Sequence, residues 1–547
     1  MASLLDKVAL NLRAVDTVRR MGLLHPRAAV TAVQGAARWG PTLAAGYAAG
    51  AARRGDEPAV IDDEGAASFA EVHDLSSALA NVLRDRGVGP ESPVALLARN
   101  SRWFVIAVNA LDKLGATVLY MNTGFAGPQL ADVLAREGCD LLLHDDEFTD
   151  AVLAHADGVE HLICDRPAAE RRGAAGGVDD IPSLVAGAAP DHPPKPERHG
   201  RQVILTSGTT GAPKGASRSV DSIGADLVAA TGIFQRVPFR TGDVHAVPAP
   251  MFHSLGNAML LAAGTLSQTL VLSRRFDPEH LLAQVEAHRV RAITAVPVML
   301  QRILALPDEV LDRHDTSSLE IVFCSGSALP GSLATQWMDR FGDNLYNMYG
   351  STEVAAATIA TPADLRAAPG TAGKPLSGVE VRLYDDRDQP VTGVGETGRI
   401  FVGSSLRFEG YTGGQTKPSI DGLLSSGDLG HFDEEGRLFV GGRDDDMIVS
   451  GGENLFPREV EDLLADMDGV EEAAVFGVDD EQYGQRLAAF VALEPGASLD
   501  EAAVKAHVKA NLANYKVPRS VWFVDELPRN ATGKVLKREL RERFPDA

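Results

Sequence analysis

The chain has 547 residues, too many for one hydrophobic core, so two or more domains are expected. It is 45% apolar and 6% aromatic, an ordinary globular composition, and its formal net charge of -23 argues against nonspecific nucleic-acid binding. Cys139, Cys164 and Cys324 are isolated, with no C-x-x-C pair and no histidine at ligand spacing, which speaks against structural zinc and for a reducing, cytoplasmic setting.

Residues 1–54 read as an N-terminal extension without a secretory signal pattern. Its Ala-rich stretch 28–51 is broken by Gln34, Arg38, Pro41 and several glycines, which argues against a spanning helix. Leu4, Leu5, Val8, Ala9 and Leu12 share one side of a helix, leaving two readings: a helix packed on the body, or a peripheral contact with the inner membrane face.

From Ala59 onward, apolar strands alternate with helices. Phe69, Val72, Leu75, Leu79, Val82 and Leu83 recur at helical spacing, with Gly87 as a stop. Pro93 to Leu97 reads as a buried strand, Trp103 to Leu114 as a helix closed by Gly115, and Thr117 to Tyr120 as a strand. A helix over Gln129 to Arg136 and a strand at Leu141 to Leu143 continue the alternation expected of a parallel sheet covered on both faces. Residues 166–200 look like a surface excursion, and 222–358 resume the alternation. From 370 to 445 short strands and Gly-rich turns predict a small antiparallel unit, and beyond Arg443 a compact α+β segment follows. The resulting expectation is an α/β protein: a large domain over 55–443 and a small mobile domain over 444–547, divided at the charged run Arg443-Asp444-Asp445-Asp446.

The most informative stretch is Thr206-Ser207-Gly208-Thr209-Thr210-Gly211-Ala212-Pro213-Lys214-Gly215. Its hydroxyls, glycines and lysine suit a polyphosphate cradle, because glycine lets backbone amides approach an anion and the ammonium supplies charge. Pro213 stands where the P-loop requires glycine, and the flanking residues read as two strands, so this is a loop between strands. Five further stretches join it: Tyr349-Gly350-Ser351-Thr352-Glu353, expected on a loop after a strand; Ser426-Gly427-Asp428-Leu429-Gly430; Arg443 after two glycines; Ser450-Gly451-Gly452-Glu453-Asn454; and Pro528 to Lys534, with the lysine expected at the start of the final helix.

Together and in this order, these stretches resemble the adenylate-forming superfamily of acyl-CoA synthetases, peptide-synthetase adenylation domains and luciferases, over nearly the whole chain from residue 55. Asn100 to Val133 is further similar to bacterial fatty-acyl-CoA ligases. The resemblance implies ATP, Mg²⁺ and coenzyme A as cofactors and co-substrate. It implies that Thr206, Ser207, Gly208, Thr209, Thr210, Gly211 and Lys214 hold the departing pyrophosphate, and that Tyr349 and Gly350, bordered by Gly326 and Ser327, receive adenine. Thr352 would meet the α-phosphate, Glu353 would hold the metal, Asp428 with Arg443 would hold the ribose, and Lys534 would bridge the acid and the α-phosphate. Asp445 is the matching hinge, and Gly451 and Gly452 the matching pantetheine passage. His253, Phe252, Gly256, Val298, Ala328 and Val354 are expected to line an acyl pocket. The absence of aspartate between Met251 and Gly264 disfavours an amino acid, and small apolar residues favour a medium or long fatty acid, with an aryl acid open as the alternative. The acceptor is CoA, or a carrier-protein phosphopantetheine in an acyl-AMP ligase.

Overall fold

The computed structural model describes residues 4–24, 26–125, 127–165, 178–207, 213–219, 227–444, 448–450, 453–455, 457–480, 484–531 and 533–544. Among these residues the strands form four sheets. Two are largely parallel, as the unbroken apolar strands predict. One has nine strands, with Pro58–Asp62, Thr269–Val271, Val244–Ala246, Ala292–Ala295, Ile321–Cys324 and Leu345–Ser351 parallel in that order and antiparallel strands at both edges. The other has seven, its parallel centre formed by Arg201–Ser207, Thr117–Tyr120, Pro93–Leu97, Leu141–His144 and Glu160–Ile163.

Helices cover these sheets where the periodicity places them. Phe69–Asp85 opens with a reciprocal capping box, Ser68 accepting from the Glu71 amide and Glu71 from the Ser68 amide, which satisfies two otherwise orphaned donors. Arg102–Leu114 ends at Gly115 in the left-handed conformation. The expected antiparallel unit is a six-stranded sheet from Glu380–Tyr384 to Leu438–Arg443. The α+β segment beyond it carries a sheet built on Val470–Asp480 and Gly484–Leu493, with Ser520–Val524 added in parallel.

Residues from the N-terminal extension form three helices, Leu4–Arg20, Pro26–Trp39 and Leu43–Arg54. The last crosses the helix Ser254–Leu266 so closely that a Cβ on Gly46 would lie 2.6 Å from the Gly264 carbonyl carbon. The described part of the extension thus packs on the body, while Leu12, Val15, Val30 and Val33 stay exposed. No described helix is long and apolar enough to cross a membrane. The three cysteines are buried and unpaired.

Two expectations about local structure are corrected. Tyr349, Gly350 and Ser351 belong to the strand Leu345–Ser351, because pairing with Ala355–Ala360 carries that strand through Ser351 and leaves only Thr352–Val354 as the turn. Gly350 permits this tight return, since a Cβ there would stand 2.0 Å from the Ala355 carbonyl oxygen. Lys534 lies before the last helix, which is Lys537–Arg543; Gly533 at φ 82° and an Arg529–Val535 bridge hold the lysine in a turn instead.

Candidate active site

The sequence-predicted residues gather at the carboxyl ends of the parallel strands, where open α/β sheets bind ligands. Strand Ile321–Cys324 runs into Ser325-Gly326-Ser327, Leu345–Ser351 ends in the Thr352 turn, and Arg201–Ser207 leads toward the phosphate loop. Gly208, Thr209, Thr210 and Gly211 lie outside the described residues, as do Asp445, Gly451 and Gly452. Thr206 and Ser207 end their strand, and across the return strand Lys214 donates to Gln415 Oε1 at 3.0 Å, its ammonium 5.4 Å from the Tyr411 ring centre.

Two cavities meet here. One, of about 890 Å³, is bordered by Gly326, Ser327, Ala328, Tyr349, Asp428 and Arg443. The other, of about 540 Å³, is bordered by His253, Ser254, Thr352, Glu353, Lys214 and Arg218. Gly326, Gly350, Arg443 and Lys534 border both.

In the larger cavity the Tyr349 hydroxyl donates to Asp428 Oδ2 at 2.6 Å, and Arg443 stands 3.7 Å from Oδ1. Burial raises the Asp428 pKa, while Tyr349, Arg443 and Ser426 work in the opposite direction. At the junction Lys534 enters from the C-terminal segment. Desolvation by the surrounding walls and then the Arg443 charge lower its pKa, opposed by Glu353 and Asp428.

Glu353 is buried, which opposes ionisation. Hydrogen bonds from the Tyr411 hydroxyl at 2.8 Å and the Ser351 hydroxyl at 2.9 Å nevertheless hold its pKa below the ordinary carboxylate value. The neighbouring Thr352 hydroxyl donates to Ser254 Oγ at 3.2 Å. Among the described residues no group of three or more histidine, cysteine or acidic side chains could hold a metal by itself. One preset, ionised carboxylate fits Mg²⁺, which takes most of its ligands from phosphate and water.

Of the six expected acyl-pocket residues, His253 borders the smaller cavity, and burial followed by the Lys534 charge lowers its pKa to about 4. Val298 and Ala328 border the larger cavity instead, with Val298 2.9 Å from where a Cβ on Gly533 would be. Phe252 and Val354 are buried in core clusters away from it. Gly256 packs on the preceding turn, a Cβ there falling 2.3 Å from the Pro250 carbonyl oxygen. Apolar character alone does not separate a cavity wall from core.

Arg218 escaped the sequence reading. It shares a strand face with Lys214 and Ala216 at two-residue spacing, donates to the Thr352 carbonyl at 2.5 Å, and leaves its Nε without a partner among the described residues. Burial lowers its pKa to about 10, offset by the charge of Glu353, with which it makes no direct ion pair. The signal was available in principle, as an arginine in the strand immediately after the expected phosphate loop.

A family model described as AMP-binding enzyme matches residues 47–412, and one described as AMP-binding enzyme C-terminal domain matches 459–534. The chain belongs to the AMP-binding enzyme family. Among relatives of this AMP-binding enzyme, a feruloyl-CoA synthase from Amycolatopsis sp is 34% identical over 487 residues, covering 88% of this chain and 94% of that one. A 2-succinylbenzoate–CoA ligase from Geobacillus sp. (strain WCH70) is 30% identical over 498 residues, covering 89% and 95%. The solved structure of the anthranilate CoA ligase AuaEII in complex with anthranoyl-AMP matches with a TM-score of 0.82 at 25% identity, covering 92% of this chain and 97% of that one.

Proposed function

We propose that this AMP-binding enzyme is an acid–CoA ligase that joins a ring-bearing carboxylic acid to coenzyme A, with ATP cleaved to AMP and pyrophosphate. The observation that carries the reading is the entry of Lys534 from the C-terminal segment into the junction of two cavities, beside Arg443, Gly326 and Gly350. The ring preference is supported by ferulate, 2-succinylbenzoate and anthranilate, the acids in the names of the relatives. A medium or long fatty acid, favoured by the apolar residues of the sequence, has less support because the acids named in these relatives carry a ring.

In this reading the substrate carboxylate attacks the α-phosphorus and pyrophosphate leaves. A carboxylate is a weak nucleophile, so the gain comes from holding it in line and neutralising charge. Thr352 and Lys534 orient the carboxylate and the α-phosphate, Lys214 receives charge on the departing pyrophosphate, and Asp428 accepts the ribose hydroxyls with Tyr349 beside adenine. Mg²⁺ held at Glu353 would neutralise phosphate charge. The thiol then attacks the acyl carbonyl and AMP departs. The domain division at 443/444, the Asp445 hinge and the Gly451–Gly452 passage belong to this proposal, with the C-terminal segment withdrawing Lys534 between the two steps.

The test is product analysis by mass spectrometry after incubation with MgATP and a panel of aryl, fatty and amino acids, with and without CoA. Acyl-CoA and AMP from ring acids support the reading. Acyl-AMP that persists in the presence of CoA favours delivery to a carrier protein, and no product from any acid overturns it.

A further inference from the structure

We propose that Tyr120, Gln202, Asp112 and Asn257 form a distal subsite that recognises a hydrogen-bond-donating group, a phenolic hydroxyl or an arylamine, at the end of the acid opposite its carboxylate. The inference rests on the ligase reading above and specifies its substrate.

All four residues border the smaller cavity with Thr352, Lys534 and Lys214. Strand register sets their depth. Gln202 pairs with Arg218 and Thr206 with Lys214, so the Gln202 row lies four residues from the lysine row, about 13 Å at the rise of a strand. Tyr120 joins from the next strand, where it pairs with Ile204. On the other wall, Ser254 meets Thr352 at the start of its helix, and Asn257, one turn further on, reaches the Tyr120 hydroxyl. The cluster thus shares one cavity with Thr352 and Lys534, the residues proposed to orient the reacting carboxylate. Val108, Ile204 and Leu261 supply the apolar faces for its ring.

The hydrogen-bond directions set the chemistry of the ligand. The Tyr120 hydroxyl donates to Gln202 Oε1, and the Gln202 amide donates to Asp112 Oδ1 at 3.3 Å. Asp112 Oδ2 accepts from the Leu43 amide at 2.9 Å and the Ala44 amide at 3.4 Å. Each of these donors is thus spent within the wall. Asn257 already meets the Tyr120 hydroxyl and Asp112 already accepts from three donors, so what remains for a ligand is the spare lone pairs of the Tyr120 oxygen and the Asp112 side chain, both acceptors. A donor on the substrate completes them. A methyl terminus would forgo that added hydrogen bond while displacing water from a polar cluster, so the analogue lacking the donor should bind less well.

The test compares kcat/KM for AMP formation with 4-hydroxycinnamate, 4-aminocinnamate, cinnamate and dodecanoate, in the wild type and in Tyr120→Phe and Asn257→Leu. Asp112 is left intact because it holds the start of the helix Leu43–Arg54. The donor-bearing acids should exceed cinnamate by about fivefold, mainly through KM, the scale of one ordinary hydrogen bond. Both substitutions should shrink that ratio toward one. Equal use of 4-hydroxycinnamate and cinnamate, a preference for dodecanoate, or a ratio that survives both substitutions overturns the subsite and leaves the ligase reading standing. AMP from none of these or any other acid overturns the ligase reading itself.

Discussion

The hydrogen bond from the Tyr349 hydroxyl to Asp428, 2.6 Å long, ties the end of a parallel strand to the neighbouring antiparallel sheet. The carboxylate proposed to bind ribose is therefore oriented by the side chain proposed to border adenine. Tyr349→Phe should raise the KM for ATP about tenfold while changing the KM for the acid less, since one hydrogen bond to a charged group disappears. Tyr349 opposes the burial that raises the Asp428 pKa, so the variant should hold a higher Asp428 pKa and lose ATP affinity sooner as pH falls. ATP titrations at several pH values read both effects.

Lys534→Ala should reduce acyl-adenylate formation by about 10²–10³, the scale of removing one preorganised charge from around the transition state. Thioester formation from supplied acyl-AMP should largely survive, because the lysine serves the first step. Single-turnover measurement of each half-reaction separates the two, and equal losses in both would refute the role.

With a folded pKa of about 4, the His253 ring is neutral throughout the working range and lines the cavity without acting as a base. The pH profiles of adenylation for the wild type and His253→Asn should therefore share one shape from about pH 5 to 8, and a wild-type acid limb near the ordinary histidine value that vanishes in the variant would contradict this. The linkage has a definite sign. The unfolded ring, with the ordinary value of 6.5, binds more protons than the folded one, so this histidine's contribution to stability is full above 6.5 and is lost as pH falls toward 4. Any thermal-stability deficit of His253→Asn at neutral pH should shrink as the buffer is acidified.

Arg218 carries an enclosed charge without a direct ion pair among the described residues. Replacing this desolvated charge, which the Glu353 charge offsets only in part, with an apolar side chain of similar length relieves desolvation, so Arg218→Met should raise the melting temperature. Loss of its bond to the Thr352 carbonyl should loosen the catalytic turn and slow adenylation by about tenfold or more. A melting scan beside a pyrophosphate-release assay checks both, and a less stable variant with full activity would contradict the account.

What could be read from the sequence was local. Tyr349, Asp428, Arg443 and Lys534 belong to short stretches of unusual composition, and the structure brings them around one junction. The parallel sheets were legible from unbroken apolar strands, and Gly115 marked its helix end by chemistry alone. Arg218, Gln202 and Tyr120 depend on the register of three strands, and Asp112 on a helix passing beneath them, so no local window reveals their convergence. Of the six expected acyl-pocket residues, Phe252, Gly256 and Val354 border neither cavity, because apolar residues look alike until packing decides which ones face a void. Lys534 reads as helical until Gly533 takes a positive φ and turns the chain.

The wall formed by Pro41, Thr42 and Leu43 lies just upstream of residue 47, where the AMP-binding match begins. In the proposed function, part of the acid-binding cavity is thus contributed by residues that precede the family match. Changes at Pro41, Thr42 or Leu43 would reshape one part of that wall and leave Tyr349 and Asp428, which border the other cavity, untouched. Substrate fit and nucleotide handling are then open to change at separate places along the chain.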